Sequence, residues 1–149
     1  MRTFLCRADS KRPLMHWTML KEDTFFEGPV PEGYRLCASP SKGYVILDVD
    51  RHDDKDGFEN IPMGIIDELE KTFHYPTKNN GVHFWLRYSG NKPLGNKASG
   101  LGIDLRVGTK GYVVYYPGDD IRNHMHEVKE TSNNLNKWLE SLFSYVTNK

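Results

Sequence analysis

The run Gly43-Tyr44-Val45-Ile46-Leu47-Asp48-Val49-Asp50 constrains this chain more than any other segment. It is dense in β-branched and aromatic residues, which suit a buried strand. Residues two apart on a strand point to one face. Asp48 and Asp50 therefore project side by side from the end of that strand. Two carboxylates so placed repel each other unless a cation sits between them. Carboxylates are hard oxygen donors, and the matching cation is Mg²⁺ or Mn²⁺. A paired-carboxylate metal site is what two-metal phosphoryl and nucleotidyl transfer requires.

Strands and helices are both expected around this run. Residues 28–33, Gly-Pro-Val-Pro-Glu-Gly, mark a turn or extended connection. Residues 34–38 read as a short strand and 51–57 as an acidic loop. Ile61, Ile65, Ile66, Leu69 and Phe73 follow helical spacing, with Asn60 and Pro62 as start signals. A helix is expected over about residues 61–73, stopped by His74-Tyr75-Pro76. Residues 82–88 read as a strand with His83, Trp85 and Arg87 on one face. Residues 89–100, rich in Gly, Asn, Lys and Pro, read as a mobile loop. Residues 103–107 and 112–116 read as strands joined by a hairpin turn at Gly108-Thr109-Lys110-Gly111. Leu135, Trp138, Leu139, Leu142, Phe143 and Val146 form the apolar stripe of a helix packed on the sheet. The expected class is α+β.

A chain of 149 residues suits a single domain, residues 1–149, with a core of its own. No apolar run approaches the roughly 20 residues of a membrane span. Met1-Arg2-Thr3-Phe4-Leu5-Cys6-Arg7 is too broken by charge to be a signal peptide. Cys6 and Cys37 make no disulfide framework, which points to a reducing, cytoplasmic setting. The 20 basic and 20 acidic residues cancel, which by itself argues against a nucleic-acid binder. Their distribution argues the other way. Between Lys78 and Lys110 the only acid is Asp104, against the bases Lys78, Arg87, Lys92, Lys97, Arg106 and Lys110. Such a stretch can face phosphates, and binding through it would be salt-dependent.

Three pieces carry the chemistry in order: Asp48-Val49-Asp50; residues 77–85, with Asn79-Asn80-Gly81-Val82-His83; and residues 102–114, with Ile103-Asp104-Leu105-Arg106 leading to Gly111-Tyr112-Val113-Val114. This ordered set resembles the catalytic domain of archaeo-eukaryotic-type primases, in particular the primase–polymerase (Prim-Pol) branch found in plasmids and phages. Lys11-Arg12-Pro13-Leu14 with Trp17 is similar to the N-terminal segment of that family. The resemblance spans roughly residues 10–118. It implies a primase–polymerase core with an RRM-like mixed or antiparallel sheet flanked by helices. It also implies a nucleotidyltransferase that uses Mg²⁺ or Mn²⁺, nucleoside triphosphates and a single-stranded DNA template, with a helicase as possible partner in trans. Asp48, Asp50 and Asp104 would be the catalytic metal ligands. His83, Asn79, Asn80, Gly81, Arg106 and Lys110 would contact the nucleotide, the backbone amides of Asn80 and Gly81 would cradle phosphate, and Lys78 would contact nucleotide or template.

Other readings stand beside this one. An EF-hand is excluded, since the positions after Asp50 carry His52 and Asp53 where that pattern needs an acid and a Gly. Asp53, Asp54 and Asp56 read as a solvated loop, and His124-Met125-His126-Glu127 as a weak metal motif. Asp104 could instead pair with Arg106 or Arg87. The phosphate segment has Asn79-Asn80-Gly81 where the family has Ser-Gly-Gly, and Lys110 replaces a frequent Gly. These departures motivate two alternatives: a non-catalytic nucleotide- or nucleic-acid-binding replication accessory, and a metal-dependent nuclease.

Overall fold

The computed structural model describes residues 1–10, 12–52 and 54–144. Lys11 of the N-terminal segment, Asp53 of the acidic loop and Val146 of the predicted helical stripe lie outside the described residues. In chain order the elements are β1 (Arg2–Arg7), β2 (Tyr34–Ser39), β3 (Tyr44–Val49), β4 (Arg51–His52), β5 (Lys55–Asp56), α1 (Met63–Leu69) and β6 (His74–Pro76). They continue with β7 (Val82–Arg87), β8 (Lys97–Ala98), β9 (Ile103–Val107), β10 (Val113–Val114), β11 (Lys129–Glu130) and α2 (Asn133–Phe143). The α+β class holds.

The larger sheet has the order β11-β7-β3-β9-β8, with β6 also on β7. All its pairings are antiparallel except β11 with β7. Strict alternation along its three central strands sorts the side chains. Val45, Leu47 and Val49 of β3 join Phe84, Leu86, Ile103, Leu105 and Val107 in one cluster with Ile65 and Leu69 of α1 and Leu135, Leu139 and Phe143 of α2. Burying each such side chain fully stabilises the fold by about 1.5–3 kcal/mol. Ile46 and Trp85 belong to the opposite face and pack with Ala38, Val113 and Tyr115. Those residues belong to or adjoin the smaller sheet, β1-β2-β10. The two α-helices thus cover one face of the larger sheet, and the smaller sheet covers part of the other.

Several expectations are corrected. The expected hairpin between 103–107 and 112–116 does not form. That edge of β9 is occupied by β8, with Lys97 opposite Leu105 and Ala98 opposite Asp104. The turn instead bonds to the other sheet's connection, Thr109 N–H donating to the Pro40 carbonyl at 3.1 Å, and β10 pairs with β2. The helix after Pro62 is shorter than expected. It ends at Leu69, because Phe73 is drawn away by a bond from its N–H to the Glu127 carbonyl at 3.0 Å, and the supposed stop signal becomes β6. The segment read as a mobile loop contains β8. Cys6 and Cys37, diagonal neighbours across β1 and β2, are joined as a disulfide. The acidic loop is the β4–β5 hairpin, followed by a 3₁₀ turn capped by Asp56, which accepts from Phe58 N–H at 2.9 Å.

Candidate active site

Asp48 sits at the centre of a cross-strand row. In register it faces His83 of β7 on one side and Asp104 of β9 on the other. Because the three strands alternate in step, all three side chains lie on the face away from the helices. Asp50 lies one step further, just past the end of β3. Ligand oxygens of Asp48, Asp50 and Asp104 lie within 4.8 Å of one another, and all three residues are half-buried. The structure therefore brings together the three carboxylates that the sequence reading grouped.

The backbone of Asp50 is clamped on both sides. Its N–H donates to the Gly102 carbonyl at 2.8 Å, and its carbonyl accepts from Gly57 N–H at 2.9 Å. A Cβ on Gly57 would fall 2.3 Å from the Gly102 carbonyl oxygen, a contact that only glycine avoids. The strand end carrying Asp50 is thereby fixed by two neighbouring segments rather than left to fray.

His83 is buried, with Nε2 3.4 Å from an Asp48 carboxylate oxygen and Nδ1 3.1 Å from the Tyr75 hydroxyl. That hydroxyl also accepts from Trp85 Nε1 at 3.0 Å. Burial pushes the Tyr75 phenol far above its ordinary range, outweighing the Trp85 hydrogen bond, so it keeps its proton. A neutral Tyr75 that accepts from Trp85 has its O–H left to give to Nδ1, which leaves the Nε2 proton facing Asp48. Burial pushes the Asp48 carboxyl up, but the hydrogen bond from His83 and the nearby Arg106 guanidinium act against it, and the group is held below its usual value. Arg106, on the same face as Asp104, places its guanidinium 3.8 Å from that carboxylate.

These groups open into a cleft of about 340 Å³. Asp48, Asp50, His83 and Arg106 come from the larger sheet, while Arg35 and Tyr112 to Val114 come from or adjoin the smaller one. The third wall is the turn between β6 and β7, with Thr77, Lys78 and Asn79. Thr77 N–H donates to the Gly81 carbonyl at 2.9 Å, and Asn80 N–H to the Thr77 carbonyl at 3.2 Å. Asn80 takes φ +61°, the left-handed position of a three-residue hairpin loop, which Asn tolerates well. Gly81 packs against the end of β3, where a Cβ would meet the Val49 carbonyl oxygen at 2.5 Å.

The other expected residues separate. Asn79 lines the cleft, whereas Asn80 and Gly81 shape the turn behind it, and the Asn80 amide is engaged within that turn. Lys110 lines a neighbouring cleft that shares Arg106 and Tyr112. Arg87 lies 3.9 Å from Glu130. His124 is held by Asp119 and Glu127, each at 2.6 Å, and stacks on Phe73 with ring centroids 4.6 Å apart. Sequence reasoning missed Arg35, Tyr75, Thr77 and Tyr116. Arg35 had a signal, being a cation within an otherwise apolar strand; Tyr75 had none, since it was read as a helix stop.

A family model described as "Bifunctional DNA primase/polymerase, N-terminal" (Prim-Pol) matches residues 2–138. The chain belongs to the Prim-Pol family. The match begins with β1 and reaches into α2, so both sheets and every wall of the cleft lie inside the Prim-Pol region. A Prim-Pol domain belongs to the primases and polymerases, whose substrates are nucleotides and DNA, and its three clustered carboxylates could hold a metal ion. No curated protein matches the chain. No helix among the described residues is long and apolar enough to cross a membrane.

Proposed function

We propose that this Prim-Pol protein is a metal-dependent nucleotidyltransferase that joins nucleotides on a single-stranded DNA template, as a replication enzyme of the phage or plasmid type. In this reading residues 1–149 form one catalytic domain, and the larger sheet is the family's RRM-like core. The observation that carries it is the triad Asp48, Asp50 and Asp104, with ligand oxygens within 4.8 Å of one another on one sheet face. The donor set fits the group it would hold. Three carboxylates are hard oxygen ligands suited to Mg²⁺ or Mn²⁺, and Asp48 is ionised at neutral pH.

When bound, such cations neutralise the triphosphate, stabilise in-line displacement at the α-phosphate and activate the attacking 3′-hydroxyl. The chain's own residues do the rest. Asp48, Asp50 and Asp104 hold the metal. His83, held by Tyr75 at Nδ1, places its Nε2 beside Asp48 at the cleft, where a phosphate oxygen could compete with Asp48 for its hydrogen bond. Arg35, Lys78 and Arg106 ring the cleft with positive charge to balance the phosphates. The Asn79 side chain supplies a further donor at the turn.

The test is nucleotide incorporation on a primed single-stranded DNA template with Mn²⁺, run beside an unprimed template and with Asp48→Ala and Asp50→Ala. Metal stabilisation worth several kcal/mol, at tenfold per about 1.4 kcal/mol, corresponds to a loss of roughly a thousandfold in each variant. Product on the unprimed template adds primase activity. Binding of nucleotide without incorporation would make the protein an accessory binder, and shortening of the DNA a nuclease.

A further inference from the structure

Past Tyr116 the molecule has a second cleft, of about 420 Å³, a size that can enclose a ligand or a side-chain anchor. One wall is the segment 25–30 and the other is 115–121, with Thr3 of β1 and Leu36 of β2 between them. The first wall is held in place. Phe26 N–H donates to the Thr3 hydroxyl at 2.7 Å, and Arg122 reaches Glu27 at 3.2 Å while its guanidinium lies 4.4 Å over the Phe25 ring. Phe25 packs on the apolar cluster beneath it. Phe26 does not. It is half-buried and lines the cleft, yet among the described residues it joins none of the three apolar clusters. Val30, 40% exposed, lines the same cleft. A ring and an aliphatic side chain held in a concave wall without a core to pack on mark an interaction site.

The charge of this cleft is opposite to that of its neighbour. Arg35, Lys78 and Arg106 line the carboxylate cleft, whereas no basic side chain lines this one among the described residues. Its rim carries Glu27, Asp119 and Asp120. Arg122 pairs with Glu27 and Asp120, and His124 with Asp119, but the Glu27 and Asp119 side chains remain 73% and 53% exposed. At the floor, Tyr115 is 4% exposed and its hydroxyl has no hydrogen-bond partner. Burial, then the Asp119 and Asp120 charges, push its phenol above the ordinary range, so it is a donor left without an acceptor.

From these features we infer that this cleft docks a short extended segment of a partner protein, one that carries an arginine or lysine beside an apolar residue. The apolar side chain packs on Phe26 and Val30. The cation meets the acidic rim, as the chain's own Arg122 already does between Phe25, Glu27 and Asp120. A backbone carbonyl reaching the floor supplies the acceptor that the Tyr115 hydroxyl lacks. Phosphate-bearing ligands are turned away, because the lining carboxylates repel them and no lining cation offsets this. The shared Tyr116 sets the partner beside the carboxylate cleft. Docking of this kind is independent of the chemistry at the carboxylates.

The test is selection of random dodecapeptides displayed on phage against the full chain, without metal or nucleotide. Fluorescence anisotropy of the enriched peptide, labelled, then gives its affinity over a series of salt concentrations. Enriched peptides are expected to carry Arg or Lys next to an aliphatic or aromatic residue, and to bind more weakly as salt rises. Phe26→Ala and Glu27→Lys are each expected to lower the affinity by about tenfold or more. Asp67→Lys makes the same charge change as Glu27→Lys at an exposed position of α1, on the helix-covered face of the larger sheet, and should bind as wild type does. No enrichment, enriched peptides without a cation, wild-type affinity in Phe26→Ala and Glu27→Lys, or an equal loss in Asp67→Lys overturns the docking site. Displacement of the peptide by thymidine or adenosine makes the cleft a nucleoside pocket and overturns a protein partner. Urea midpoints show that each variant is folded; if Phe26→Ala is not, Glu27→Lys decides. Every one of these outcomes leaves the primer-extension result standing.

Discussion

At the scale of single residues, the Tyr75 hydroxyl is the least replaceable atom outside the carboxylates. It serves two buried ring nitrogens, those of His83 and Trp85. Tyr75→Phe keeps the ring and strands both partners. The expected cost is about 1–3 kcal/mol of unfolding free energy in urea, together with slower nucleotide incorporation as His83 loses its orientation. His124 makes a different prediction. The Glu127 hydrogen bond raises its pKa most, the Asp119 bond adds to this, and partial burial opposes them. A group raised in the folded state stabilises fully below its unfolded value, about 6.5, and that contribution is lost as pH rises through the higher folded value. Unfolding free energy should therefore fall on going upward from about pH 6.5. In His124→Gln this part of the pH dependence should vanish, which paired urea titrations of wild type and variant would check.

At the scale of elements, the clamp on Asp50 and the cap of α2 are the exposed points. Gly57→Ala drives a Cβ into the Gly102 carbonyl. Overpacking of this kind costs about 1–3 kcal/mol. Since the shift falls on the segment that bonds Asp50, Mn²⁺ affinity should drop along with stability. Ser132 caps α2 by accepting from Leu135 N–H at 3.2 Å, and its own hydroxyl and N–H both reach Glu68, next to the end of α1. Ser132→Ala should cost about 1 kcal/mol, read as a lowered Tm, without touching the cleft. The elements also show what was legible in the sequence. β3 was legible as a dense β-branched, apolar run closed by Asp48, and β9 as a strict alternation of apolar residues with Asp104 and Arg106. The short strands β8 and β11 have two residues each and carry no period to detect. The partner of β10 depended on which edges were already occupied, which no local pattern records.

At the scale of the whole molecule, two sheets of different size share one apolar cluster through Ile46, Trp85, Ala38 and Val113. The carboxylate triad was readable because Asp48 and Asp104 lie on the paired strands β3 and β9 and Asp50 follows Asp48 two residues on, at the end of β3. The other walls of the cleft, Arg35 and Tyr116, come from segments brought there only by the packing of sheet on sheet. The link between Cys6 and Cys37 ties β1 to β2 across a sequence separation of 31 residues. Loops of such length typically give about 2–4 kcal/mol of stabilisation, so adding a reductant should lower the unfolding free energy by about that much. Alkylation of the unfolded, unreduced protein should find no free thiol.

The alternation in β3, β7 and β9 has a consequence for how this chain can change length. Each of those strands presents its core to the helices on one set of positions and its chemistry on the other. Inserting or deleting a single residue within any of them would exchange the two sets, turning carboxylates and imidazole toward the helices and aliphatic side chains into the cleft. Substitutions there alter one function at a time, whereas a one-residue indel abolishes both. Length variation that the protein survives should therefore fall in connections such as 28–33 that neither pair with these strands nor clamp the site, and a library of random single-codon deletions should return functional clones from that segment and none from the three strands.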